Sequence, residues 1–351
     1  MEIELQVLEK ETLALCPKGP GLYQRAHKYL GDLIKPEAYQ SMIELTTPVC
    51  NDLKEVKEFF SSKLKLLATL AEEEGLVLWA ASLHPFSLAE EQKVWGKPRY
   101  EKIFSELQMV GRRFIAQGLH IHLGMPDVQT AIIVYNQLRL YLPLLLALST
   151  SSPFYEGRVT GLYSYRSKLF EALPLAGLPR AFASWEEFSF LVEALERLNI
   201  IQSIRDLWWD IRLQPTLGTV EVRIYDVPCY FVDLLALVAL TQALARYLLE
   251  YPLPSLPDEI LAYQKWQAAR HGLEGRFVDP QTRSVRTYRE ELILILQRIE
   301  PLMKELGLEE YKEPLQNIVT RGTGAEGMLR LYQRGLPFTE IIQTMIQGFW
   351  S

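Results

Sequence analysis

The stretch WWDIRLQPTLGTVEVRIYD, residues 208–226, decides the fold. Two alternating segments, WWDIRLQ (208–214) and GTVEVRIYD (218–226), are separated only by Pro-Thr-Leu, and a glycine follows the break. That is the composition of a β-hairpin. Side chains two apart on a strand share a face, so Glu221 and Arg223 point one way and Val220 and Val222 the other. On the first arm, Asp210 and Arg212 repeat the acid-then-arginine order. Hairpin-joined strands are antiparallel, and helical patterns separate the other strand candidates. The chain is therefore expected to be α+β with a largely antiparallel sheet.

Two further segments carry ionisable pairs at the same spacing, and a third adds a single acid. MEIELQV (1–7) has Glu2 and Glu4, MIELTTP (42–48) has Glu44, and GLHIHLG (118–124) has His120 and His122. A sheet that buries one face leaves the other wet. Any one of these acids alone reads as solvated, Glu221 with Arg223 as an in-strand salt bridge, and a lone histidine as a satisfied core residue. Their recurrence on several strands points instead to one shared site. Carboxylates with imidazole suit Mg²⁺ or Mn²⁺ better than zinc, which favours more His and Cys, and arginine suits an anion such as phosphate. His120 and His122 face the same way, and one metal contact and one anion contact would satisfy both.

Composition narrows the class. The chain has 351 residues, 48% of them hydrophobic, with 37 basic against 43 acidic residues for a net of −6. This balance carries no electrostatic footprint for nucleic acid. Cys16, Cys50 and Cys229 are odd in number and far apart, which suits a reduced, cytoplasmic protein. The N-terminus opens on a charged strand rather than an apolar signal region. YLPLLLALS (141–149) is too short to span a bilayer, so no membrane contact is expected.

The apolar periodicity predicts helices over 52–73, with Asn51 as the cap, and over about 100–117. A single buried helix is expected from Val128 through 149. Further helices are predicted over 184–198, opened by Ser184 with Glu187 in capping-box position, and over 231–250, 258–271 and 287–305. The remaining tail is helical in pieces. The aromatic, arginine-containing SSPFYEGRVTGLYSYRSKLF (151–170) reads as a binding loop. Neither GxGxxG nor GxxxxGK[ST] is present. With no clear linker, residues 1–351 are expected to form a single catalytic domain whose C-terminal portion, from about 255, is helical.

These segments also carry a family resemblance over most of the length. ELQVL, IELTTP, the SLHPF of Ser82–Phe86, GLHIHLG, LRLYLPLLLALSTSSPF, TGLYSYR, WWDIRL, GTVEVRIYDVP, WQAARHGLEG and GTGAEGMLR occur in order. Together they resemble the glutamate–cysteine ligase type 2 family, the carboxylate–amine ligases. More remotely, the acid pair, the HxH strand and the ExR strand are similar to the catalytic strands of glutamine synthetases. The resemblance implies a curved, open, metal-lined sheet with helices on one face. The chain departs from the family pattern at Gln264 and Lys265, where Asn-Arg is common, and at Thr323, where Asn is common. Met1 directly precedes Glu2, so the first strand either frays or starts upstream.

What the resemblance implies is an ATP-dependent ligase that forms an amide, glutamate with cysteine being one such pair as in glutathione biosynthesis, through an acyl phosphate. Mg²⁺ or Mn²⁺ would be held by Glu2, Glu4, Glu44, His120 and Glu221. His122, Arg223 and Arg166 would contact the transferred phosphate or substrate carboxylate, with Arg212 and His84 on the substrate side. The expected partners are ATP and amino acids, in a homodimer. Phosphoryl transfer of the guanidino-kinase type, or an inactive scaffold that binds a metabolite or partner, are the alternatives.

Overall fold

The computed structural model describes residues 1–350. Its main sheet has seven strands: β1 (Glu2–Glu9), β2 (Ile34–Pro36), β3 (Met42–Thr46), β4 (Leu76–Trp79), β5 (Gly118–Gly124), β6 (Ile211–Gln214) and β7 (Thr219–Asp226). Every ladder is antiparallel, in the order β6-β7-β5-β1-β3-β2. β1 sits at the centre. One of its edges pairs with β3; the other pairs with β5 through Glu2 and Ile3 and with β4 through Gln6 to Glu9. The α+β, antiparallel expectation is met.

Alternation sorts the strands into two faces. Ile3, Leu5, Val7, Ile43, Leu45, Leu119, Ile121, Leu213, Val220 and Val222 are buried in the main apolar core. Each such side chain contributes roughly 1.5–3 kcal/mol by leaving water. Around that core lie α1 (Gly19–Leu30), α2 (Leu53–Glu72), α4 (Val128–Arg139), α5 (Leu142–Ser149) and α8 (Phe231–Glu250). α3 (Pro98–Arg112) and α6 (Arg166–Glu171) lie over the polar face instead. α7 (Trp185–Arg197), α9 (Asp258–His271), α10 (Tyr288–Glu305), α11 (Lys312–Arg321), α12 (Gly324–Gln333) and α13 (Phe338–Gly348) complete the helices. α8 is long and apolar enough to cross a bilayer, but 72% of that window is buried inside the protein.

Several local expectations are corrected. The helix expected from Val128 through 149 is two helices, α4 and α5, bent by 60°. Pro143 lies in the first turn of α5, where it needs no N–H partner but blocks continuation of the preceding turn. α3 stops at Arg112 rather than Gln117, and Gln108 within it has φ 49°. Asp52, not Asn51, caps α2 by accepting from the Glu55 N–H at 2.9 Å. α1 lies outside the predicted helices; it begins Gly-Pro-Gly, and a proline in a first helical turn loses no hydrogen bond.

Strand β7 carries one irregularity that matters below. Val222 pairs with Ile121 but Tyr225 pairs with Leu119, so one extra residue is inserted on β7. Such a bulge shifts the alternation. Ile224 and Tyr225 both enter the core, and the Tyr225 hydroxyl meets Thr241 of α8 at 2.6 Å.

Candidate active site

The polar face of the sheet floors a cavity of about 580 Å³. Cross-strand register assembles the floor. Glu2 stands opposite His120, Glu4 opposite Glu44, and Glu221 opposite both His122 and Arg212. Directly opposed strand residues are near neighbours on one face. Acids that are far apart in sequence are thereby packed together. The apolar side chains of Ile103, Phe104, Leu107, Phe170 and Leu173 form the facing wall.

Two carboxylate groups emerge. In the first, one donor atom each from Glu2, His122 and Glu221 lie within 4.8 Å of one another. His122 Nδ1 bonds the Thr219 hydroxyl at 3.0 Å, which orients the ring. Its Nε2 is buried without a hydrogen bond, 3.7 Å from Glu2 Oε1 and 3.8 Å from Glu221 Oε1. In the second group Glu4, Glu37 and Glu44 approach equally closely. Burial pushes the Glu4 carboxyl up to about 7, against the pull of Arg166 and the Gly118 N–H, which donates at 2.6 Å. Burial raises Glu37 and Glu44 as well, and their acidic neighbours add to it. Close like charges of this kind favour proton uptake or a cation.

Glu221 is the most heavily bonded acid. It accepts from Arg212 Nε at 3.0 Å, Arg212 NH2 at 3.2 Å, Gln214 Nε2 at 2.6 Å and Arg223 NH1. Burial opposes its charge, yet Arg223 and Arg212 outweigh burial and hold it well below the usual carboxylate range. Glu2 is likewise held low, the neighbouring His120 and His122 imidazoles outweighing its burial. His120 Nδ1 lies 3.0 Å from Glu2 Oε2, and burial, with Arg223 nearby, lowers this imidazole to about 4.

The expected site residues do not all take the places assigned to them. Glu2, Glu4, Glu44, His120, His122, Arg166, Arg212, Glu221 and Arg223 all line the cavity. His122 Nε2 is buried without a hydrogen bond, while His120 uses its Nδ1 on Glu2 and has its Nε2 3.9 Å from Glu4 Oε1. Arg212 turns its guanidinium onto Glu221 and onto the carbonyls of Ile204, Arg205 and Leu207, which leaves little for a substrate. His84 lies outside the cavity. Its Nε2 meets the Leu13 carbonyl at 2.8 Å, and its Nδ1 accepts from the Phe86 and Ser87 N–H groups. Gln264, Lys265 and Thr323 are buried elsewhere, Lys265 on Asp210 at 2.6 Å.

Two floor residues went unnoticed in the sequence. Lys35 donates to Glu44 at 2.9 Å and Thr46 at 3.0 Å, and Glu37 completes the second acidic group. Lys35 and Glu37 have the same spacing of two, but they flank Pro36, the last residue of a three-residue strand, and Glu37 lies just beyond it.

Cys229 is fully buried against Gly324 and does not line the cavity. Burial raises its thiol, so it holds no thiolate at neutral pH. Cys229→Ala is expected to leave turnover nearly unchanged. A loss approaching the ~100-fold typical of removing a catalytic group, in a well-folded variant, would count against this.

Residues 1–348 match the family model described as glutamate–cysteine ligase family 2. A relative from Gloeobacter violaceus, provisionally named glutamate–cysteine ligase 2, is 37% identical over 99% of this chain and 95% of its own length. The fold is similar to that of a bifunctional glutathione synthetase from Pasteurella multocida, with a TM-score of 0.76 at 17% identity. That match covers 99% of this chain but 51% of the other, so this chain spans about half of the longer enzyme. It is also similar to a glutamate–cysteine ligase from Francisella tularensis solved in complex with AMP. There the TM-score is 0.70 at 14% identity, covering 100% of this chain and 88% of that one.

Proposed function

Because the chain belongs to glutamate–cysteine ligase family 2, we propose that it is an ATP-dependent carbon–nitrogen ligase that activates an amino-acid carboxylate as an acyl phosphate and passes the acyl group to an amine. Glutamate with cysteine is the first pair to test. A carboxylate resists attack by an amine because its carbonyl carbon is electron-rich. Transfer of the γ-phosphoryl group of ATP to one carboxylate oxygen releases ADP. The amine then adds to the carbonyl carbon, and inorganic phosphate leaves with that oxygen.

One observation carries this reading. Three acidic strands meet on one floor, and a buried histidine nitrogen there has no hydrogen-bond partner among the described residues. The donor set fits Mg²⁺ or Mn²⁺. Glu2, His122 and Glu221 would hold one cation, and Glu4, Glu44 and Glu37 would offer a second set of oxygens. A bound cation would supply charge neutralisation between the phosphates and the carboxylate. Arg223 and Arg166 bring fixed positive charge to the same face, where preorganised donors act most strongly on developing charge. His120, kept neutral, holds Glu2 in orientation. The three free cysteines support a reducing, cytoplasmic setting.

The test is isotopic. With glutamate labelled by oxygen-18 in its side-chain carboxylate, plus cysteine, ATP and Mg²⁺, one labelled oxygen should appear in inorganic phosphate for each amide formed. Unlabelled phosphate beside amide product would sink the acyl-phosphate step. A stable phosphorylated compound without amide would favour simple phosphotransfer.

A further inference from the structure

Several of the sequence motifs converge on one carboxylate beside the cavity. Asp226, the last residue of β7, is 0% exposed. Its Oδ2 accepts from the Ser151 N–H at 2.9 Å and the Ser152 hydroxyl at 2.7 Å, and its Oδ1 accepts from the Ser164 hydroxyl at 2.9 Å. The Asp226 N–H donates to the Ser149 hydroxyl at 3.2 Å, and the next N–H, that of Val227, donates to the Ser82 hydroxyl at 2.7 Å. Segments SLHPF, LSTSSPF, TGLYSYR and GTVEVRIYDVP therefore meet at this single acid.

A buried carboxylate is costly unless its charge is matched. The cation facing it is Arg166, whose NH1 lies 4.0 Å from Asp226 Oδ1. Ser152 ties the two together: its hydroxyl donates to Asp226 and accepts from the Arg166 N–H at 3.2 Å. The guanidinium of Arg166 also donates weakly to the carbonyls of Ile224 and Arg223, at 3.4 Å each, while its Nε has no partner. It reaches the cavity across Gly118, where a Cβ would lie 2.5 Å from Arg166 NH2 and 2.9 Å from His120 Nε2. The β7 bulge contributes by sending Tyr225 into the core, which leaves Asp226 with the polar groups under Arg166.

We infer that Asp226 is a positioning residue that holds Arg166 in place at the cavity. It fixes both the charge behind the guanidinium and the serine-lined turn from which the Arg166 side chain departs. This rests on reading Arg166 as a contact to the transferred phosphate or the substrate carboxylate. Asp226 itself touches neither.

A cycle of Asp226→Asn, Arg166→Gln and the double variant, made in the full chain, tests the coupling. Residues acting as one unit are non-additive, whereas independent losses multiply. Asp226→Asn should lower kcat by roughly 10–100-fold, the scale of removing an orienting partner. The double variant should be no slower than Arg166→Gln alone. The same cycle, read by calorimetry as binding of ATP with Mg²⁺, should show the same lack of additivity. If the wild type binds ATP but makes no amide, the ligase reading fails while the binding cycle still judges the coupling. Multiplying losses in the double variant, or an Asp226→Asn protein with unchanged kcat and ATP affinity, would overturn the inference. Should Asp226→Asn fail to fold, Ser164→Ala replaces it in the cycle, with a smaller effect expected and the same non-additivity.

Discussion

Glu221→Gln is expected to lose both turnover and stability, and the two losses have separate causes. Glu221 is 1% exposed and neutralises the buried Arg212 and the largely buried Arg223. Removing one partner of a buried ion pair costs about 3–5 kcal/mol, because the remaining charge stays buried without compensation. An amide in place of the carboxylate would also turn an N–H₂ group towards guanidinium and Gln214 donors. The thermal midpoint should therefore fall clearly. Turnover, measured well below that midpoint, should fall by ~100-fold or more, because a charged group of the reaction floor is gone and Arg223 has lost its anchor. Near-normal turnover in a destabilised protein would reduce Glu221 to a structural ion-pair residue.

This dual role could not be read from spacing alone. The alternate-residue pattern identified Glu2, Glu4, Glu44, His120, His122, Glu221 and Arg223, because period two is a local property of each strand. Which histidine meets which acid depends on strand order and register between segments about a hundred residues apart. Nothing in GLHIHLG states that His122 will face Glu221 and His120 will face Glu2. Glu37 is not legible because it lies just past a three-residue strand that ends at Pro36. Asp226 escaped because a bulge shifts the alternation just before it. His84 was misplaced for the opposite reason: its motif is distinctive, but its ring nitrogens serve the backbone of its own loop and of Leu13. The break at Pro143 was visible in the sequence but was masked by the unbroken apolar run around it.

His122→Asn should separate catalysis from stability more cleanly. Among the described residues His122 Nε2 makes no hydrogen bond, and Nδ1 makes one, to Thr219. Folding therefore stands to lose about one hydrogen bond, roughly 1 kcal/mol. The same nitrogen faces Glu2 and Glu221 at 3.7 and 3.8 Å, the place where a cation would draw on it. In the wild type, excess EDTA should abolish turnover and Mn²⁺ should restore it. In His122→Asn, turnover at limiting Mn²⁺ should fall by ~100-fold or more, and Mn²⁺ affinity, followed by paramagnetic relaxation without substrate, should weaken by at least ~10-fold, the lower end for disturbing a metal site. The thermal midpoint should barely move. Unchanged Mn²⁺ affinity with turnover lost would move His122 from the cation to the transferred phosphate. Full activity in EDTA would remove the cation from this floor altogether.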